Sequence, residues 1–132
     1  MRTIPGGSSF QTYAYLELGR HYFNGIGFEK NIATAVYWYR SAADEGRPEG
    51  CNALGEVYEN DKSLQDYDKA FRYFQISAMQ GYVFSQIKLG DFYTDGTSVE
   101  QDYVKASEWY QYYRVLSSCF TSIRLKNYKS LD

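Results

Sequence analysis

A period of about 35 residues constrains this chain more than any other feature. Leu-Gly recurs at Leu18-Gly19, Leu54-Gly55 and Leu89-Gly90, at intervals of 36 and 35 residues, and Tyr22, Tyr58 and Tyr93 each follow a glycine by three places. Ala35, Ala70 and Ala106 recur at intervals of 35 and 36, each three residues before an aromatic pair: Trp38-Tyr39, Tyr73-Phe74 and Trp109-Tyr110. Six positions held in one phase through three copies exceed what chance gives, even in a chain with 15 tyrosines. The 132 residues suit one domain, and a lone unit could not bury its apolar face, so the copies must stack.

Each unit reads as two helices, because Ala14/Leu18/Tyr22 and Ala35/Trp38/Tyr39/Ala42/Ala43 follow the 3.6-residue period and no segment alternates with period two. Asn24-Gly25-Ile26-Gly27 and Asp95-Gly96-Thr97-Ser98 supply the intervening turns, and Asn60 is expected to take that slot in the shorter second copy. Asn31, Asp66 and Asp102 stand where an Asx oxygen caps the second helix, and Gly46 and Gly81 close it. Gly19, Gly55 and Gly90 lie inside first helices, at a cost of about 1 kcal/mol each relative to alanine. That cost makes sense if the second helix crosses there at close range.

The expected architecture is all-α, a right-handed α/α solenoid of three helix-turn-helix repeats plus a C-terminal capping helix. Residues 1–10 read as a flexible leader, the repeats as 11–46, 47–81 and 82–117, and 119–132 as a degenerate polar cap with Thr121 and Leu125 in phase and Lys126 in the glycine slot. A chain cut from a longer solenoid would expose an apolar flank on the helix Gln11 to Asn24 and self-associate through that N-terminal end.

The order Ala-x3-Leu-Gly-x2-Tyr, Gly-x-Gly, Asn/Asp-x3-Ala-x2-Trp-Tyr-x2-Ala-Ala-x2-Gly resembles the Sel-one-like repeat family, a relative of the tetratricopeptide repeats. The match runs from about Gln11 to Ser117; the third unit departs after Trp109-Tyr110, where Tyr113 and Arg114 replace the Ala-Ala pair and Ser117 the glycine. The resemblance implies a protein-protein interaction module, an adaptor or scaffold. Several bacterial members are immunity proteins, so an inhibitor with one cognate toxin is the alternative.

By analogy with tetratricopeptide repeats, the concave face is lined by first helices at fixed offsets from the leucine. These give Tyr13, Leu16, Arg20 and Phe23 in the first unit, Glu49, Asn52, Glu56 and Glu59 in the second, and Phe84, Ile87, Asp91 and Thr94 in the third, with Phe120 and Ile123 added by the cap. Leu18, Leu54 and Leu89 would point into the stack. An acidic middle between apolar ends suits a peptide or helix with basic and apolar side chains, and residues 44–68 do hold eight acids against two bases. Two other readings stand beside this one: a solvated acidic helix face, and aromatic positions turned inward by the twist. Tyr103, Tyr112 and Tyr113 are the tyrosines that the repeat explains least, and a second surface on the outer helices is the alternative reading for them.

Other chemistry finds little support. With 14 Lys+Arg against 16 Asp+Glu, the chain lacks the basic excess of a nucleic-acid binder. His21, the single histidine, can pair with Glu17 one helical turn away, and two such groups do not make a metal site. Cys51 and Cys119 are 68 residues apart and lack a neighbouring histidine, and Gly25-x-Gly27 lacks the third glycine of a dinucleotide fingerprint. No catalytic residue, metal or cofactor is therefore expected; a small hydrolase is the alternative of another class. Neither a secretory signal nor a run of 18 apolar residues is present, so no membrane insertion and a cytoplasmic location are expected.

Overall fold

Asx caps and left-handed glycines cut the chain into helices. The computed structural model describes residues 9–111. Its elements are α1 (Ser9–Asn24), α2 (Ile32–Asp44), α3 (Pro48–Asn60), α4 (Tyr67–Met79) and α5 (Val83–Asp95), then α6 from 103 to the last described residue, 111. No strand occurs among the described residues. Consecutive helices pack on one another from α1 through α5, which makes an all-α solenoid. The expected cap at 119–132, with Phe120, Ile123 and Cys119, lies outside the described residues, as do Tyr112 and Tyr113.

Asn31 accepts from the Thr34 amide at 3.0 Å, Asp66 from Lys69 at 3.1 Å and Asp102 from Lys105 at 3.0 Å, so each second helix opens on its Asx oxygen. Gly46 and Gly81 end α2 and α4 at φ +87° and +91°, a conformation that a Cβ disfavours. The second unit departs from expectation. Asn60 stays helical, and Asp61 at φ −78° ends α3 in extended conformation instead of a left-handed one. Its carboxylate accepts from the amides of Ser63 and Leu64, both at 3.2 Å, and this local turn explains how the unit closes with one residue fewer.

The helical glycines are packing sites for rings. A Cβ on Gly19 would lie 2.5 Å from the Tyr39 ring, and one on Gly55 2.7 Å from Phe74; Gly90 meets Tyr110 in the same way. The second aromatic of each pair thus packs against the glycine of its own unit. Backbones themselves approach most closely between units, where a Cβ on Gly50 would meet the Ala43 amide nitrogen at 2.6 Å and the Tyr39 carbonyl at 2.8 Å. Within the second unit the Ser77 hydroxyl donates to the Pro48 carbonyl at 2.8 Å, and between units the Gln86 amide donates to the Ala78 carbonyl at 3.1 Å.

A second device repeats at the turns. Gln65 donates to the Glu59 carbonyl and the Tyr67 hydroxyl, both at 2.9 Å, and Gln101 donates to the Thr94 carbonyl at 2.8 Å and the Tyr103 hydroxyl at 2.9 Å. Tyr103 therefore belongs to a Gln-Asp-Tyr strap that closes the end of a first helix. Leu54 and Leu89 are buried as expected, at 0% and 1% exposure, whereas Leu18 is only half-buried. No second helix precedes α1 among the described residues, so Ala14 is exposed while its counterparts Gly50 and Ser85 are buried.

Candidate functional site

Spacings of three and four residues place four side chains of each first helix on one face. By repeat phase the positions on α1, α3 and α5 group into four rungs: Tyr13/Glu49/Phe84, Leu16/Asn52/Ile87, Arg20/Glu56/Asp91 and Phe23/Glu59/Thr94. All twelve are exposed or half-buried, and the inward-turned reading of the aromatics is excluded for Tyr13 and Phe84, which keep 63% and 65% of their surface.

Two contacts tie the α3 and α5 faces together. Ser85 donates to the Asn52 side-chain oxygen at 2.7 Å, and the Lys88 ammonium bridges to Glu59 at 2.8 Å while lying 5.8 Å over the Phe74 ring. Lys88 is a base that the face offsets did not anticipate, and it neutralises Glu59. On α1, Arg20 donates to Glu17 at 2.7 Å, which holds the Glu17 carboxyl below its ordinary range. Glu17 thus takes Arg20 as its hydrogen-bonding partner, and the expected pairing with His21 reduces to a weak through-space field.

The rings across the helical glycines deliver hydroxyls to this face. Tyr110 donates to Asp91 at 2.5 Å and sits 3.3 Å from the Thr94 hydroxyl; burial, then this bond, raises its phenol. Tyr39 lies within the field of Glu56, Arg20 and Glu17, and its phenol is pushed up to about 12, mainly by burial. In the second unit the same ring is Phe74, which has no hydroxyl to offer. Glu56, the counterpart of Asp91, is accordingly left bare: no hydrogen bond or ion pair reaches its carboxylate among the described residues.

Glu56 keeps an exposed surface, yet the surrounding walls raise its carboxyl above the ordinary range. Desolvation is the main cause, Glu59 adds to it, and Lys88 opposes it. Solvent screening at the open side limits the energetic weight of that shift. On the same helix, one oxygen of Glu49 is buried without a hydrogen-bond partner. Tyr82 lies in the field of both acids, its phenol raised first by burial, and its ring is 5.6 Å from that of Phe84. The acidic middle therefore reduces to Glu49 and Glu56, flanked by Tyr39, Tyr82 and Phe84.

Nucleophilic chemistry has no foothold at Cys51, which is buried and whose thiol is raised by burial and then by Asp44. Among the described residues no group of three His, Cys, Asp or Glu side chains could hold a metal ion, and no helix is long and apolar enough to cross a membrane.

The Sel1 repeat pattern matches residues 12–46, 48–82 and 83–112. The chain belongs to the Sel1 repeat family. Among solved structures it is similar to a protective antigen of uropathogenic Escherichia coli with an SLR fold, at 37% identity and TM-score 0.72, over 76% of this chain and 22% of that one. It is also similar to a Sel1 repeat protein from Oxalobacter formigenes, at 32% identity and TM-score 0.71, over 90% of both chains. A putative sel1-like repeat-containing protein of Acanthamoeba polyphaga mimivirus is 38% identical over 76 residues, which are 58% of this chain and 14% of that relative's length. Sel1-repeat proteins generally mediate protein-protein interactions and are typically non-catalytic.

Proposed function

We propose that the first-helix face is a concave groove that binds a segment of another protein, a peptide or helix carrying basic and apolar side chains. The bare Glu56 carboxylate carries this reading. It stands where the third unit's Asp91 receives a tyrosine hydroxyl, and Phe74 withholds that hydroxyl. An arginine or lysine entering between Tyr39 and Tyr82 would supply the missing donors to Glu56 and Glu49, while Tyr13 and Phe84 offer apolar surface at the first rung.

Co-purification from native lysate tests the proposal, comparing wild type with a variant carrying Phe84→Ala and Glu56→Lys. Asp91 is left alone because it holds Tyr110. A protein captured by wild type and lost by the variant supports the groove; equal capture by both removes it. A second reading draws on the uncovered flank of α1, where exposed Ala14 and half-buried Leu18 would support self-association. Sedimentation at rising concentration tests it: assembly abolished by Leu18→Glu supports it, and a monomer throughout rejects it.

A further inference from the structure

One position on the first-helix face is polar where its counterparts are apolar. Leu16 on α1 and Ile87 on α5 match Asn52 on α3. Ser85 is 0% exposed, so its hydroxyl proton must find an acceptor inside the protein, and the Asn52 side-chain oxygen supplies it at 2.7 Å. That bond decides which way the carboxamide faces. Its oxygen is held by Ser85, and its two N–H groups, with no partner among the described residues, are left for whatever enters the groove. We propose that the groove takes an extended segment of polyproline II type from a partner protein, lying along α3, with Asn52 donating to a backbone carbonyl and basic side chains three residues apart reaching Glu49 and Glu56.

This assignment of the occupant rests on the groove reading above and narrows it. Glu49 and Glu56 lie seven residues apart on α3, two helical turns or about 10.5 Å along its axis. Asn52 lies between them on the same helix face. A β-strand does not match that interval, because its side chains recur on one face about every 6.8 Å and those three residues apart point opposite ways. Two conformations do match: an α-helix with basic residues at i and i+7, and a polyproline II segment with them at i and i+3, about 9.3 Å apart on one side. Asn52 separates the two. A helix has bonded its carbonyls internally, whereas a polyproline II segment has no internal hydrogen bonds and offers every carbonyl. Rings of the kind that receive prolines stand beside the acids: Tyr82 is 5.6 Å from Phe84, which is 65% exposed.

Two labelled peptides of equal charge test the proposal by fluorescence anisotropy: Leu-Pro-Arg-Leu-Pro-Arg-Leu-Pro, and a stapled alanine-based helix with two arginines seven residues apart. Wild type should bind the first at least tenfold tighter than the second. Asn52→Asp gives a comparison of opposite signs, because aspartate still accepts from Ser85 but adds negative charge and removes both N–H donors. Charge attraction alone would tighten binding of the first peptide; donation to a carbonyl requires at least a fivefold loss, with far-UV circular dichroism unchanged. Ser85→Ala, which installs the residue that Ala14 supplies in the first unit, releases the carboxamide and should weaken the same peptide by about threefold. Unchanged or tighter binding by either variant, equal or stronger binding of the helix, or failure of the first peptide to bind would each overturn the proposal. Loss of partner capture by the Phe84→Ala, Glu56→Lys variant would leave the groove reading standing in any of those cases.

Discussion

Replacing Gly55 by alanine sets two effects of opposite sign against each other. Within a helix, glycine to alanine stabilises by about 1 kcal/mol. The new Cβ, however, would lie 2.7, 2.8 and 2.9 Å from three atoms of the Phe74 ring, where ordinary carbon contacts begin near 3.5 Å, so the ring must retreat by nearly 1 Å. It has no room to do so, being 0% exposed and packed against Phe92 with centroids 5.9 Å apart. Overpacking of this kind costs about 1–3 kcal/mol, which leaves a net loss of about 1 kcal/mol, or roughly 4 °C in Tm. Urea unfolding followed by far-UV circular dichroism measures it. Adding Phe74→Leu, which vacates the space above the helix, should make the double variant less destabilised than the sum of the singles by about 1 kcal/mol. A single variant stabilised by about 1 kcal/mol would refute the claim that the ring requires the glycine.

Three further outcomes are expected. Asp66→Ala removes the oxygen that accepts from the Lys69 amide and should cost about 1 kcal/mol in urea unfolding, with Asp66→Asn near wild type. Glu56→Gln tests the raised carboxyl: a folded pKa above the unfolded value favours folding below pH 4.5 and loses that benefit as pH rises through the folded value. The variant should therefore gain stability over wild type at pH 7, with the gap closing below pH 4.5; a gap unchanged between pH 3 and 7 would contradict it. Phe74→Tyr should hand Glu56 the hydroxyl that Asp91 already has and weaken partner binding while leaving capture detectable. Unchanged affinity in a calorimetric titration would show that Glu56 does not need a donor from its partner.

The fold was legible because its determinants are local and periodic. Leu54, Gly55, Ala70 and Phe74 recur since one stacking geometry demands the same sizes in every copy, and Asn31, Asp66 and Asp102 cap helices through contacts three residues away. The candidate site was legible only as a set of positions. Offsets from the leucine name the residues on a helix face, and they say nothing of long side chains reaching between units, as Lys88 does to Glu59. Nor do they show that a ring lying across a glycine carries its hydroxyl onto the face of the neighbouring helix, as Tyr110 does to Asp91. The difference between tyrosine and phenylalanine at that slot, visible in Tyr39, Phe74 and Tyr110, was the signal in the sequence. Asn60 misled because an Asx residue before a turn suits a left-handed cap equally well, and Asp61 closed the turn with its own carboxylate.

The groove is the central claim, and a calorimetric titration of a captured partner against three proteins tests it most directly: wild type, Phe84→Ala with Glu56→Lys, and Tyr37→Ala with Tyr103→Ala on the second helices. Both altered surfaces are similarly open, with Tyr37 62% and Tyr103 65% exposed, so loss of apolar area alone would affect them alike. The groove account predicts at least a tenfold rise in Kd for the first variant, about 1.4 kcal/mol, with the second within twofold of wild type. Weakening by the second variant alone would place binding on the outer helices and contradict the account.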